Sequence, residues 1–90
     1  MRYSWDRKKS DANYRERGFD FSFASMIFEG PVLIVEDQRR DYGERRFVAI
    51  GLADQIHITL VFTDRAGSER RHHSANHLRP AQQLEREKAI

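Results

Sequence analysis

ERRFVAIGLADQIHITLVFTD, residues 44–64, reads as two strands joined by a tight turn. Residues 47–52 and 56–63 are rich in β-branched and aromatic side chains, and Ala53-Asp54-Gln55 between them is short enough for a hairpin loop. With Asp54 at the tip, Leu52 faces Ile56, Ile50 faces Ile58, Val48 faces Leu60 and Arg46 faces Phe62 on one side of the sheet. The other side then carries Gly51 with His57, Ala49 with Thr59, Phe47 with Val61 and Arg45 with Thr63. The first face is hydrocarbon up to Arg46 and suits a floor for helices. The second is small, mixed and partly polar, and suits a working surface. A slip of one residue would exchange the two faces. In this register Arg46 falls on the oily side, so it must reach past the sheet end or be re-aimed by a bulge near Arg45.

Around that hairpin there is room for one domain. Ninety residues lie near the lower end of what a single core can hold together unaided. An apolar fraction of 39% beside a charged fraction of 33% calls for a compact core and an ionic surface. The absence of cysteine removes a disulfide framework and thiolate metal sites, and suits a reducing cytosol. No apolar run approaches the roughly 20 residues of a membrane span, and the opening Met1-Arg2-Tyr3-Ser4-Trp5-Asp6 has no signal-peptide h-region. A cytoplasmic protein with no membrane role is expected. Net charge is only +2, yet Arg39, Arg40, Arg45, Arg46, Arg65, Arg70, Arg71 and Arg79 crowd the stretch from residue 39 to residue 79. Guanidinium forks suit phosphates, although solvated charges beside fourteen carboxylates would look the same in composition.

Residues 2–5 alternate as a short strand, with Trp5 toward the core. Asp6 is placed to cap a polar helix over residues 7–16, where Lys9, Asn13 and Glu16 share a face and Gly18 is a natural stop. Asp20 precedes a second helix whose apolar set is Phe21, Ala24, Ile27 and Phe28, ended by Gly30-Pro31. Residues 32–35 read as a strand followed by a charged loop, and residues 64–68 as a turn leading to a strand over 69–75. Pro80 opens a C-terminal helix over 81–89 with few apolar anchors. The order β-α-α-β-β-β-β-α predicts an α+β fold, a small antiparallel sheet with helices packed on one face. Trp5, Phe21, Phe28, Ile50, Ile58 and Leu60 are the expected core.

Several short patterns then coincide: Trp5-Asp6-x-x-Lys9-x-x-x-Asn13-x-x-x-x-Gly18, Phe21 and Ala24 with Phe28, Tyr42-Gly43-Glu44-x-Arg46-Phe47-x-Ala49-Ile50-Gly51, Val61-Phe62-Thr63-Asp64-Arg65, and Arg71-x-x-Ser74-Ala75. Together, across nearly the whole chain (residues 1–90 as a single domain), they resemble the BrnT family of toxins from bacterial type II toxin–antitoxin operons. The resemblance implies a RelE-like fold, an endoribonuclease that arrests translation without a metal or other cofactor, and inhibition by a BrnA antitoxin. Two stretches depart from the common family pattern. Glu16-Arg17-Gly18 stands where Lys-His-Gly is usual, and Asn76 stands where an arginine is usual.

Metal-free RNA cleavage needs a group to take the 2′-OH proton, a group to protonate the leaving oxygen, and cations around the phosphorus. Glu44 is the candidate base if Arg46 or Lys9 keeps it ionised. Arg46 and Arg71 are the candidate phosphate clamps, and Lys9 adds a mobile charge from the first helix. His72 or His73 could titrate near neutral pH and stand in for the usual histidine. Arg45, Tyr42, Ser74, Asn76 and Arg79 are candidate RNA contacts, Tyr42 by stacking on a base. His72 and His73 point to opposite strand faces, so they and His77 make a poor zinc set, and no metal site is expected. The expected partners are the antitoxin and RNA, with the ribosome as a candidate place of engagement and DNA reached only through the antitoxin. The alternative is a weakened relative that binds RNA or antitoxin and acts mainly in operon autoregulation. A third possibility is an arginine-rich interaction module with no nucleic-acid role.

Overall fold

The turn that closes the central hairpin has two residues, not three. In the computed structural model, which describes residues 1–39 and 41–78, Asp54 and Gln55 both take positive φ, 47° and 66°. That is the backbone of a type I′ hairpin turn, whose twist matches the flanking strands. Ala53 therefore pairs with Ile56, Gly51 with Ile58, Ala49 with Leu60 and Phe47 with Phe62. This is one step from the register expected with Asp54 at the tip, and it exchanges the faces of β3 relative to β4. Ala49, Gly51 and Ala53 line the helix-covered face with Ile58, Leu60 and Phe62, while Val48 and Ile50 join Val61 and Thr59 on the other, which among the described residues no helix covers and which is called the open face below. The small residues lie beneath the helices because they permit close approach. A Cβ on Gly51 would meet the Ile27 Cβ at 3.0 Å.

The described elements run β1 (Arg2–Trp5), α1 (Arg7–Arg17), α2 (Phe21–Ala24), a 3₁₀ helix (Ser25–Glu29), β2 (Val32–Asp37), β3 (Arg46–Ala53), β4 (Ile56–Arg65) and β5 (Glu69–His77). The five strands form one sheet in the order β1-β5-β4-β3-β2. Every pairing is antiparallel except β1 with β5, so the sheet is mixed and the expectation of an antiparallel one is corrected. The N-terminal strand arrives parallel because its backbone starts beside the β4–β5 turn, where Arg2 N donates to Ser68 O at 2.8 Å. The expected C-terminal helix over 81–89 lies outside the described residues.

α1 begins where Asp6 accepts from the backbone N–H groups of Lys8 and Lys9, at 2.8 and 3.2 Å. It ends at Gly18, with φ 88°. The helix has no apolar stripe. Its buried residues are Ser10 and Asn13, and both are tethers: Ser10 Oγ accepts from Phe21 N at 3.0 Å, and Asn13 Nδ2 donates to Phe19 O at 2.8 Å. Asp20 caps α2 through Phe23 N, and the single helix expected over residues 21–28 instead tightens into the 3₁₀ segment after Ala24. Phe21, Ala24 and Ile27 close on Ala49, Ala53, Ile58, Leu60, Phe62 and Ala75 to form the core, with Trp5 and Phe28 at its margin. Ile50 is buried as expected, but on the open side of the sheet.

Candidate functional site

The register that hides the alanines also brings Arg46 to the open face without any bulge near Arg45. The bulge lies instead in β5. Val61 pairs with Ser74 and Phe62 with His72, leaving His73 as the extra residue. His72 thereby stays on the helix side, while His73 turns with Ser74 toward the open face.

There His73 Nε2 lies 2.7 Å from Thr63 Oγ1, and that hydroxyl donates to Glu44 Oε2 at 3.1 Å. Thr63 has one proton. Given to Glu44, it leaves Oγ1 to accept from His73 Nε2–H, and this tautomer makes Nδ1 the basic ring nitrogen. The Glu44 carboxylate is also 3.4 Å from His73 Nε2, 3.4 Å from Arg46 Nε and 3.9 Å from Arg65 Nη2. Partial burial alone would raise the Glu44 pKa. The Thr63 hydrogen bond, His73 and Arg46 outweigh it and hold the carboxyl below its ordinary value. His73 is pushed down to about 4, first by burial and then by Arg46, with Lys9 and Arg65 adding to the effect and Glu44 opposing it. The cluster thus pairs an ionised carboxylate with a neutral imidazole in a field of cations.

Glu44, Arg46 and His73 are brought together, with Lys9 near enough to act on the imidazole. Arg71 sits across the ladder from Thr63 and so shares its face. Its guanidinium makes no hydrogen bond or ion pair with any described residue, leaving that fork available. His72 is corrected. It is 1% exposed on the opposite face, bonded to Ser25 Oγ at 2.8 Å and stacked on Tyr3, Trp5 and Phe28. Lying on that face it does not reach the cluster, and burial pushes its pKa down to about 4, as it does that of His73, so neither histidine shows the expected titration near neutrality. Arg45 is also turned away: it pairs with Glu36 at 2.8 Å and lies over the Phe47 ring. Arg79 lies outside the described residues.

Tyr42 carries the Arg46 guanidinium 4.3 Å from its ring centroid, so that face of the ring is already occupied. Ser74 and Asn76 lie on the open face opposite Val61 and Thr59. Asn76 accepts from Arg17 Nε, so the residues standing where the family usually has an arginine and a histidine are bonded to each other. Val48, Val61, Ser74, Asn76 and Arg17 help line an open groove of about 670 Å³ on this face. The sequence reading missed Thr63 and Arg65 as members of the cluster. Their signal was alternation with Arg46 on the partner strand, which needs the true register to be seen. Among the described residues, no group of three His, Asp or Glu side chains is arranged to hold a metal ion, and no helix is long and apolar enough to cross a membrane.

A small α+β domain with a carboxylate, an imidazole and several cations on one open sheet face is equipped to handle a phosphate ester. Residues 5–82 match the family described as "Ribonuclease toxin, BrnT, of type II toxin-antitoxin system", and the chain belongs to that family. The crystal structure of the Brucella abortus ribonuclease toxin BrnT is similar in fold, with a TM-score of 0.63 and 21% identity. The similarity covers 88% of this chain and 97% of that one. No curated protein matches the chain by sequence.

Proposed function

We propose that the chain is a metal-independent endoribonuclease toxin that cuts RNA at the Glu44–Arg46–His73 cluster and is neutralised by a BrnA-type antitoxin. The observation that carries this reading is the single hydroxyl of Thr63, bonded to both Glu44 and His73, with Arg46 and Arg65 beside them. Glu44 takes the proton of a ribose 2′-OH, and the 2′-oxygen attacks the adjacent phosphorus. The bond to the 5′-oxygen breaks, His73 protonates that oxygen, and the products are a 2′,3′-cyclic phosphate and a 5′-hydroxyl end. Arg46 and Arg71 hold the phosphate oxygens while charge builds on them, and Lys9 and Arg65 add to the positive field. Burial first, and then Arg46, Lys9 and Arg65, keep His73 neutral before RNA arrives. A phosphate placed among them offsets their charge and raises the affinity of His73 for the proton it must deliver.

On this reading the protein works in the cytoplasm, cuts messages to arrest translation, with the ribosome as a candidate place of engagement, and meets DNA only through its antitoxin. A RelE-like relationship agrees with helices covering one sheet face and, among the described residues, none covering the other. The test incubates purified protein with labelled RNA in excess chelator, alongside Glu44→Gln, Arg46→Ala and His73→Ala. The wild type should leave 5′-hydroxyl ends, and each variant should be slower by about 100-fold or more. Equal decay with all four proteins would refute the site. No decay with any would favour a relative that binds RNA or antitoxin without cutting.

A further inference from the structure

Asp37 is a carboxylate whose side chain is 1% exposed, at the end of edge strand β2. A buried charge is costly unless it is fully partnered, and here the partners converge from one loop. Asp37 Oδ1 accepts from Arg39 N at 3.2 Å and Arg39 Nε at 2.8 Å, while Oδ2 accepts from Arg39 Nη2 at 2.7 Å and Tyr42 Oη at 3.0 Å. The bidentate bond to Arg39 comes first among the causes that hold the Asp37 carboxyl well below the usual carboxylate range. Across the ladder, Asp37 is paired with Arg46. The Arg46 guanidinium lies over the ring that Asp37 holds, and its Nε points to Glu44 at 3.4 Å.

We propose that Asp37 is a positioning residue: through Tyr42 it fixes the platform on which the Arg46 guanidinium is aimed, and it gathers the loop that presents Glu44. The proposal rests on the ribonuclease reading for its consequence in catalysis, but its geometry does not depend on that reading. An arginine has many rotamers, and a phosphate clamp that must find its pose during the reaction loses rate. Stacking on a fixed aromatic ring leaves the fork facing the site and sets the guanidinium in one plane. Tyr42 would serve poorly as a platform if its own hydroxyl were untethered. Arg39, with a side chain 74% exposed, completes the carboxylate's coordination from the solvent side. Asp37, Tyr42 and Arg46 therefore form a relay of position, with no proton or electron passing along it.

The experiment compares wild type with Asp37→Asn and Tyr42→Phe, using two readouts. The first is the Arg46 Nε–H resonance, assigned by its loss in Arg46→Lys. In wild type the Tyr42 ring current should displace it from the values of solvent-exposed arginines, and in Asp37→Asn it should return toward them. The second is cleavage of a short labelled RNA by protein that circular dichroism shows to be folded. Asp37→Asn and Tyr42→Phe should lower kcat by about tenfold with KM changed by less than about twofold, the pattern of a group acting in the transition state. A merely structural Asp37 would lower the melting temperature and leave kcat per folded molecule and the Nε signal unmoved, and that result overturns the proposal. If the wild type itself does not cut RNA, the ribonuclease reading fails, and the Nε signal still decides whether Asp37 sets the pose of Arg46.

Discussion

Acidification should destabilise this fold well before its carboxylates titrate, because His72 is buried as a neutral ring. The imidazole is sealed between Tyr3, Trp5 and Phe28, with Phe21 meeting its edge, and among the described residues its polar partner is the Ser25 hydroxyl. Its pKa falls from 6.5 to about 4 on folding. A histidine whose folded pKa is depressed leaves the unfolded chain binding more protons between the two values. Its contribution is complete above about 6.5 and is lost as pH falls from there toward 4. At pH 5 the unfolded form is favoured about 30-fold by this one group, a loss of about 2 kcal/mol. That is a large share of the ~5–15 kcal/mol that holds a small domain together. His73, also brought down to about 4, adds a comparable share in the same direction, so the wild type carries both. The assay is urea denaturation followed by tryptophan fluorescence at roughly pH 7.5 and pH 5, on wild type and His72→Phe. The wild type should lose about 2 kcal/mol or more, and the variant should lose about 2 kcal/mol less than wild type whatever its starting stability. Parallel pH dependences in the two proteins would refute the reasoning.

Cleavage should show the same protonation chemistry at the neighbouring residue. With Glu44 ionised throughout and His73 titrating at about 4 in the free protein, kcat/KM should fall about tenfold per pH unit from pH 5 to pH 7. A flat profile in initial-rate measurements would remove His73 as the acid. Arg71→Ala should weaken RNA binding and reduce the slope of log affinity against log salt by about one, as read by fluorescence anisotropy across a salt series. An unchanged slope would take Arg71 off the phosphate. Gly51→Ala forces a Cβ to 3.0 Å from Ile27 Cβ and should cost about 1–3 kcal/mol in urea melts. A neutral substitution would mean the 3₁₀ helix can move away from β3.

The element types were legible in the sequence wherever a local rule decided them. Asp6 and Asp20 cap the helices they were expected to cap, and Gly18 ends α1 in the left-handed conformation. The strands appear where β-branched residues cluster, though β2 and β5 run two residues further than the pattern suggested, to Asp37 and His77. The facing of the central hairpin was not legible, because both of its faces carry apolar residues. Ile50 and Val48 look like floor, and Ala49, Gly51 and Ala53 look like leftovers, until helix packing makes the small residues the better neighbours. The parallel entry of β1 was equally hidden, since it depends on contacts with a turn more than sixty residues away. Of the candidate site, Glu44, Arg46 and His73 were named, but Thr63, Arg65 and Asp37 were not. Thr63 and Arg65 act through neighbours on or beside other strands that only the register reveals, and Asp37 acts through Tyr42 in the loop that follows it.

The bulge in β5 explains why two adjacent histidines have opposite fates. In a regular strand, the step after His72 would face outward and the next would return to the core. Ser74 would then lie among the helices and His73 alone would face the groove. The extra residue lets both His73 and Ser74 face outward while Ala75 still packs in the core opposite Leu60. The strand therefore delivers an imidazole to Thr63 without surrendering its apolar pairing further along. What holds the strand at that point is His72, clamped by rings from β1 and the 3₁₀ helix. A hydrocarbon side chain there would pack, but only a ring of this size both stacks on Trp5 and reaches the Ser25 hydroxyl. The acid sensitivity predicted for the fold is thus the physical counterpart of the anchor that presents His73.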